Sequence, residues 1–411
     1  MKASSFAVAL LAAAASQGPA LAQRAVQTPS ATSAAGPAGV PPGMENALIW
    51  GGDLTSHLQG EVTTANGGSP KSTAFDDSDG NLYANYGDWL SLYGNLHLER
   101  NRSDNSDAYF PQSNSAFRSE GLTMRQLFAA VRPIEELTVY AGKIHPNFGS
   151  AYASVPGNFY NFASDYEQTE RIGAGVEYRL GPESDNLVNH ISFEAHYLDT
   201  SFLSTSLLSQ PGLSDPTANR VWRYRRYLPA DGNTGSLDNW TLAVQGGRPE
   251  TGVTYQLSFE RQKTGDPAGK TETGGSFGIS YDPSGGDGMP LGHRLGVIPF
   301  IEYARFDNFQ GNDGEREQYL TGGLAFHYVR WEVDLSAGLR KGDNVQMADG
   351  SRARGLDRQE SLSVSYTVMP YPQLVVGFGV NHLEDTADPV AIVAKGSSWT
   401  FGPSLSLATS F

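Results

Sequence analysis

The sequence contains no cysteine. Disulfide staples, thiolate metal ligands and thiol nucleophiles are therefore excluded. Basic residues are scarce as well: 29 Lys and Arg stand against 44 Asp and Glu, a formal net charge of −15. A chain this acidic lacks the electrostatic footprint of a nucleic-acid binder. After the first two dozen residues no apolar run approaches the ~18 residues that a membrane helix needs. There is no His-Glu-x-x-His motif, and Gly274-Gly275-Ser276 lacks the following Lys of a phosphate loop. The residues point to no cofactor, no metal centre and no enzyme. What the chain has in quantity is Gly (47), Tyr (19) and Phe (19), a poor composition for helices.

The first residues read as a secretory leader. Lys2 supplies a positive start, Phe6 to Ala15 an apolar run, and Ala20-Leu21-Ala22 a small-residue cleavage site. Residues 1–22 are expected to be a signal peptide. Residues 23–43 are rich in Ala, Pro, Ser, Thr and Gly without periodicity, the composition of a flexible lead-in. The folded domain is expected over 44–411.

From Met44 onward the pattern has a period of two, which signals strands. Leu48, Trp50, Leu54 and Leu58 share one face, while Asp53, Thr55, His57 and Gln59 share the other. Leu90, Leu92, Leu96 and Leu98 oppose Ser91, Tyr93, Asn95, His97 and Glu99. Ile172, Ala174, Val176, Tyr178 and Leu180 oppose Arg171, Gly173, Gly175, Glu177 and Arg179. Ile191, Phe193, Ala195 and Tyr197 oppose Ser192, Glu194 and His196. Over Trp331 to Arg340 the second face is Glu332, Asp334, Ser336, Gly338 and Arg340. The last stretch sets Trp399, Phe401, Leu405, Leu407 and Phe411 against Thr400, Gly402, Ser404 and Ser406. The last strand alone also suits the edge of a soluble sandwich. Charged residues on so many inner faces do not make a dry core. They suit a wet lumen, with the apolar face turned to lipid.

Connection lengths alternate along the chain. Short ones fall at Tyr86-Gly87-Asp88, Pro133-Ile134-Glu135, Gly181 to Asn186, Arg248-Pro249-Glu250, Asp282 to Pro290, Val329-Arg330 and Pro370-Tyr371-Pro372. Between them lie mostly longer polar segments: 61–78, 101–119, 146–168, 201–236, 263–269, 307–315, 342–355 and 384–397. Such sorting is a property of membrane barrels, with short turns on one side and long loops on the other. The count gives an all-β, transmembrane, antiparallel up-and-down β-barrel of sixteen strands, within a range of about fourteen to eighteen. The second strand, around 79–86, is the weakest in pattern and is required for an even number. Sixteen strands leave an aqueous channel, whereas eight would be filled by side chains. Trp50, Tyr86, Trp89, Tyr178, Tyr281, Tyr328, Trp331 and Tyr366 fall near strand ends, where amphipathic rings suit the membrane interfaces.

The stretch Gly142-Lys143-Ile144-His145-Pro146-Asn147-Phe148-Gly149 follows the fifth strand. Pro156-Gly157-Asn158-Phe159-Tyr160, Asp165-Tyr166-Glu167 and Glu170-Arg171-Ile172-Gly173 come after it. Together with the strand count and the terminal Phe411, these residues resemble Gram-negative outer-membrane porins of the α-proteobacterial type. The resemblance implies an outer-membrane location and passive diffusion of small hydrophilic solutes and ions. It implies a third outer loop, here 146–169, folded inward to narrow the channel. It also implies a homotrimer, contact with outer-membrane lipid and lipopolysaccharide, and recognition of the last strand, ending in Phe411, by the barrel-assembly machinery. Phe148, Tyr152, Phe159, Tyr160, Phe162 and Tyr166 are candidates to anchor the loop. Asp165, Glu167 and Glu170 are the candidate constriction acids. Arg125, Arg132, Arg171, Arg179, Arg294, Arg340, Glu177, Glu194, Glu332 and Asp334 are the candidate pore wall. These charges either face the solute or pair with one another as wall structure.

Two features stand apart. Arg220, Arg223, Arg225 and Arg226 cluster in the longest loop. They suit lipopolysaccharide phosphates or an anionic solute, although solvation and local pairing are the commoner fate of loop charges. His57, His97, His196 and His327 alternate toward the inner face on four different strands, as wall residues do. Two other functions stay open: a channel specific for an anion, a sugar or an iron chelate, and a non-conducting barrel with adhesive or structural loops.

Overall fold

The structure is a computed structural model that describes residues 48–65, 69–100, 115–117, 120–155, 162–181, 188–209, 220–222, 232–248, 252–282, 295–346, 351–385 and 396–411. The expected leader and lead-in, Arg223, Arg225, Arg226 and Arg294 lie outside the described residues. Sixteen strands form the wall: β1 (Leu48–Ala65), β2 (Lys71–Tyr86), β3 (Leu90–Arg100), β4 (Glu120–Ile134), β5 (Leu137–Ile144), β6 (Arg171–Leu180), β7 (Val188–Leu198), β8 (Asn239–Arg248), β9 (Val253–Gln262), β10 (Glu272–Tyr281), β11 (Gly296–Asp307), β12 (Arg316–Tyr328), β13 (Trp331–Gln346), β14 (Arg352–Pro370), β15 (Gln373–Asp385) and β16 (Gly396–Ser410). Each wall strand pairs antiparallel with its neighbours in the chain, and β1 pairs with both β2 and β16. The ring is therefore closed. Closure gives every strand two hydrogen-bonded neighbours, which is the condition for a sheet to stand in lipid. Outside the ring, Ser115–Ala116 pairs in parallel with β2, and Thr205–Ser209 with Arg220–Trp222 forms a separate two-stranded sheet.

The period of two becomes two environments. On β16, Trp399, Phe401, Leu405 and Leu407 are exposed on the outside, and Ser398 and Ser406 are buried on the inside. The same division runs through Leu54, Leu58 and Val62 on β1 and through Leu320 and Leu324 on β12, all exposed. Terminal Phe411 exchanges backbone hydrogen bonds with Gly52 at 2.9 and 3.0 Å, which completes the β1–β16 seam. On β4 a bulge opposite Asn95 and Leu96 resets the parity. Thr123 and Arg125 face inward at odd positions, and Gln126, Phe128 and Ala130 face inward at even ones. An inserted residue does this because each further step in a strand flips the side chain.

The short connections at Tyr86-Gly87-Asp88, Pro133-Ile134-Glu135, Val329-Arg330 and Pro370-Tyr371-Pro372 fall where the pattern predicts them, whereas most of those expected at 181–186, 248–250 and 282–290 lies outside the described residues, and β11 begins only at Gly296. Two of the long segments are shorter than expected. β1 and β2 run on to Ala65 and Lys71, with Thr63 opposite Lys71, so most of 61–78 is strand. β13 and β14 likewise consume most of 342–355. In these hairpin tips charged residues such as Lys341 and Arg354 also take exposed positions, so the alternation fades while the backbone ladder continues. The second strand, expected at 79–86, is a full 16 residues. The eight aromatic residues expected near strand ends all lie toward the short-turn end. There Tyr86 packs edge-on against Trp89 at 5.9 Å, and Trp331 meets Tyr366 at 4.8 Å. Toward the long-loop end the aromatic positions are others, such as Trp240 beside Phe193 and Trp399 beside Phe401.

Candidate functional site

The segment between β5 and β6 contacts side chains of β8, β9, β11 and β13. Its backbone is set by Pro146 and by Gly149, whose φ of +70° favours glycine. Gly149 N–H donates to Ser258 Oγ at 3.0 Å on β9, and Gln256 donates back to the Gly149 carbonyl at 3.0 Å. Ser150 donates to Glu302 Oε2 from its N–H at 2.6 Å and from its hydroxyl at 2.8 Å. Tyr166 donates to the other oxygen of Glu302 at 2.7 Å. Gln168 donates to Glu260 on β9, and Thr241 on β8 donates to Gln168 at 3.3 Å.

Apolar packing surrounds these bonds. Phe148, Ala151, Phe162, Ala163 and Tyr166 of the segment form one buried cluster with Phe300, Ala304 and Phe306 of β11, Phe309, Tyr319 of β12 and Leu383 of β15. Tyr166 lies 5.5 Å from Phe306 and 4.9 Å from Tyr319 between ring centres. Two inner-wall glycines make room. A Cβ on Gly338 would come within 3.0 Å of Phe162, and one on Gly278 would collide with Ser150 Oγ. Of the aromatic residues expected to anchor the segment, Phe148, Phe162 and Tyr166 are buried in the cluster and Tyr152 packs against it. Phe159 and Tyr160 lie outside the described residues.

The charged residues named from the sequence separate into several environments. Asp165 pairs with Arg340 at 3.1 Å, and Arg340 also holds Asp357 at 2.8 Å while stacking over Phe162. Glu167 faces Arg125 at 3.8 Å, on the far side of the segment. Glu170 is fully buried. Its partner is Lys143 at 2.9 Å, and Lys143 also holds Asp199 at 2.8 Å. Glu170 sits at φ 55°, a backbone region that costs a non-glycine residue roughly 1–2 kcal/mol. This triad ties the end of β5, the start of β6 and the exit of β7 together. Lys143 stands within the Gly142 to Gly149 stretch, where nothing in the pattern marks it as a charge partner, and Asp199 has no local signal at all.

The remaining wall candidates are dispersed. Arg171 donates to Gln262 at 3.1 Å. Arg179 pairs with Glu135 at 2.6 Å at the short-turn end. Arg132 is half-buried at the same end, where its N–H donates to the Trp89 carbonyl. Glu177 meets His190 at 3.0 Å, Glu194 accepts from Tyr140 at 2.7 Å, Glu332 meets His327 at 3.4 Å, and Asp334 accepts from Ser363 at 2.9 Å. Glu260 and Glu302, the chief acceptors for the segment between β5 and β6, were not singled out by pattern. Among the described residues thirteen carboxylates are buried against three basic side chains, Arg125, Lys143 and Arg171. Acidic groups therefore outnumber basic ones among the buried side chains.

Gly274-Gly275-Ser276-Phe277-Gly278 has the spacing of a nucleophile elbow. That motif needs a sharp strand-to-helix turn that presents the serine. Here the five residues lie in the run of β10, and Ser276 is buried with its hydroxyl 2.5 Å from that of Ser258. The spacing arises from strand glycines on a crowded inner wall.

No family model matches the chain, and no curated protein matches it. Solved structures do. OprB of Pseudomonas putida superposes with a TM-score of 0.55 at 11% identity, covering 89% of this chain and 94% of that one. OmpF of Salmonella typhi, solved with daunomycin, gives 0.52 at 12% identity, covering 89% of this chain and 98% of that one. An anion-selective porin from Comamonas acidovorans gives 0.50 at 12% identity, covering 89% and 100%. With sixteen antiparallel strands closed into one ring, an apolar outside and a charged inside, the chain has the fold of the Gram-negative outer-membrane porins.

Proposed function

We propose that the protein is an outer-membrane channel for passive diffusion of small hydrophilic solutes, with a preference for cations. One observation carries this reading: a closed sixteen-strand ring turns an apolar face outward and a charged face inward, and the segment between β5 and β6 docks on that inner face. An apolar outer face is stable in lipid, and a charged inner wall is stable only against water or paired charge. The docked segment acts as the inward loop that narrows the lumen, with Glu167 and Arg125 at its open margin. Asp165 and Glu170 hold it in place through Arg340 and Lys143. No chemical step is invoked. The leader over 1–22 directs export, and the short turns face the periplasm.

The excess of buried carboxylates supports the cation preference, since a wall of one sign concentrates counter-ions. The anion-selective Comamonas porin shares the fold alone, and the charge bias here disfavours that selectivity. Lipopolysaccharide contact, assembly through the Phe411 strand and a trimer accompany the reading as expectations of the porin resemblance. The test is single-channel conductance of the refolded protein in a planar bilayer under a salt gradient. Ohmic steps with a reversal potential on the cation side are expected, and steps grouped in threes would report the trimer. A folded, heat-modifiable barrel that gives no steps would overturn the channel reading. A reversal potential on the anion side would overturn the cation preference.

A further inference from the structure

Three carboxylates gather around one imidazole on the wall left open by the docked segment. His97 on β3 stands directly across from Asp79 on β2 and is 1% exposed. Its Nδ1 lies 3.0 Å from Asp79 Oδ1. Its Nε2 looks toward Glu99 Oε2 at 3.2 Å and Asp77 Oδ1 at 3.7 Å. Ligand atoms of Asp77, Asp79 and His97 all lie within 4.8 Å of one another. We propose that this cluster binds a divalent transition-metal cation through His97 Nε2, Asp77 and Glu99, with Asp79 as a positioning residue.

The roles follow from the two ring nitrogens. A hydrogen bond from Nδ1–H to Asp79 fixes the tautomer that leaves the Nε2 lone pair free, the carboxylate–histidine pairing that orients metal-bound imidazoles. With ligand bonds of about 2.0–2.2 Å, neighbouring donors on one metal stand roughly 3–3.5 Å apart. Glu99 at 3.2 Å from Nε2 stands at that spacing and Asp77 at 3.7 Å slightly beyond it, so the partly exposed Asp77 side chain has to close on the cation. Asp77 at 3.7 Å is too far for a hydrogen bond to the ring, so a proton on Nε2 serves at most Glu99. An imidazole with carboxylates suits Zn, Co or Ni.

Charge and access favour the same conclusion. Arg125 is the nearby fixed cation, and it faces Glu167 of the docked segment, which offsets its charge. Three carboxylates then surround one histidine, a surplus that a dication neutralises. Thr123 stands across from His97 on β4, is 1% exposed, and its Oγ1 has no hydrogen-bond partner among the described residues. On that face it offers an oxygen to a water in the metal's remaining coordination positions. The Asp77 and Glu99 side chains are 41% and 24% exposed, which leaves a path from the lumen.

Binding is tested on the refolded full-length barrel in detergent, titrated with Co2+ and followed by visible absorption, with calorimetry for stoichiometry. One Co2+ per chain is expected, with ligand-field bands of a nitrogen–oxygen site. Asp77→Asn and Glu99→Gln, both on partly exposed side chains, should each weaken binding at least tenfold. Asp79→Asn should weaken it by about 10–100-fold while keeping the bands. If His97→Ala does not fold, these variants carry the test. No Co2+ bound by the folded wild type would overturn the site, as would unchanged affinity in the Asp77→Asn/Glu99→Gln double variant. Neither readout depends on conductance, so this inference and the channel reading can fail separately.

Discussion

The two halves of the barrel wall use their inner faces differently. On β8–β13 the inner face is a docking surface: Phe300, Phe306 and Tyr319 bury against aromatic residues of the segment between β5 and β6, and Glu260 and Glu302 accept its donors. Across β14–β16 and β1–β3 the inner face is made mostly of small polar residues, among them Ser363, Ser365, Thr367, Ser398, Ser406, Thr55 and Asn95. The outer faces of both halves are alike, because lipid is the solvent for both. A period of two thus reports which side meets lipid and leaves open whether the other side meets water or protein.

The comparison is broken most severely at the latch. Lys143→Met leaves Glu170 and Asp199 buried without a counter-charge. A loss of about 3–5 kcal/mol is expected, read as a lowered urea midpoint in lipid vesicles. An unchanged midpoint would show that the triad does not hold the segment. On the open half the large effect should come from the outside. Leu405→Arg on the lipid face of β16 is expected to cost about 2–4 kcal/mol, checked by loss of heat-modifiable folded protein.

Glu302→Ala on the docked half removes the acceptor of three donors. Each group left unpaired costs about 1–3 kcal/mol, and the segment should detach from β11 while the ring stays closed. Conductance should rise and limited proteolysis should open the segment between β5 and β6. A conductance equal to wild type would mean that the docked segment does not narrow the lumen. The smallest effect belongs to Glu61→Gln on the open half, where the carboxylate accepts from Gln59 at 2.9 Å. Stability should stay within about 0.5 kcal/mol, and the reversal potential should move slightly toward the anion side.

Strand existence was legible where one face met lipid and the other was polar. β6 and β16 were readable residue by residue, and the four short turns within the described residues fell in place. β11 shows where the pattern gives out. Its inner residues Phe300, Ala304 and Phe306 are as apolar as its outer Ile301 and Tyr303, since the inner face packs on the docked segment. Alternation therefore could not single it out. The long hairpins β1–β2 and β13–β14 failed in the opposite way, because polar residues enter the outward face at their tips. Arg125 and Arg132 share an inner face only through the β4 bulge, which no pattern of types announces.

The sequence by itself determined the fold class, the sorting of short and long connections and the inward-facing charge. Those properties depend on residue type at a local spacing of two, set by the contrast between lipid and water. Only the tertiary structure decided which charges meet. Arg340 reaches Asp165 across 175 positions of chain, and Lys143 gathers Glu170 and Asp199 from two other connections. Ring closure brings such residues together, and the pairing depends on where the segment between β5 and β6 packs against the wall.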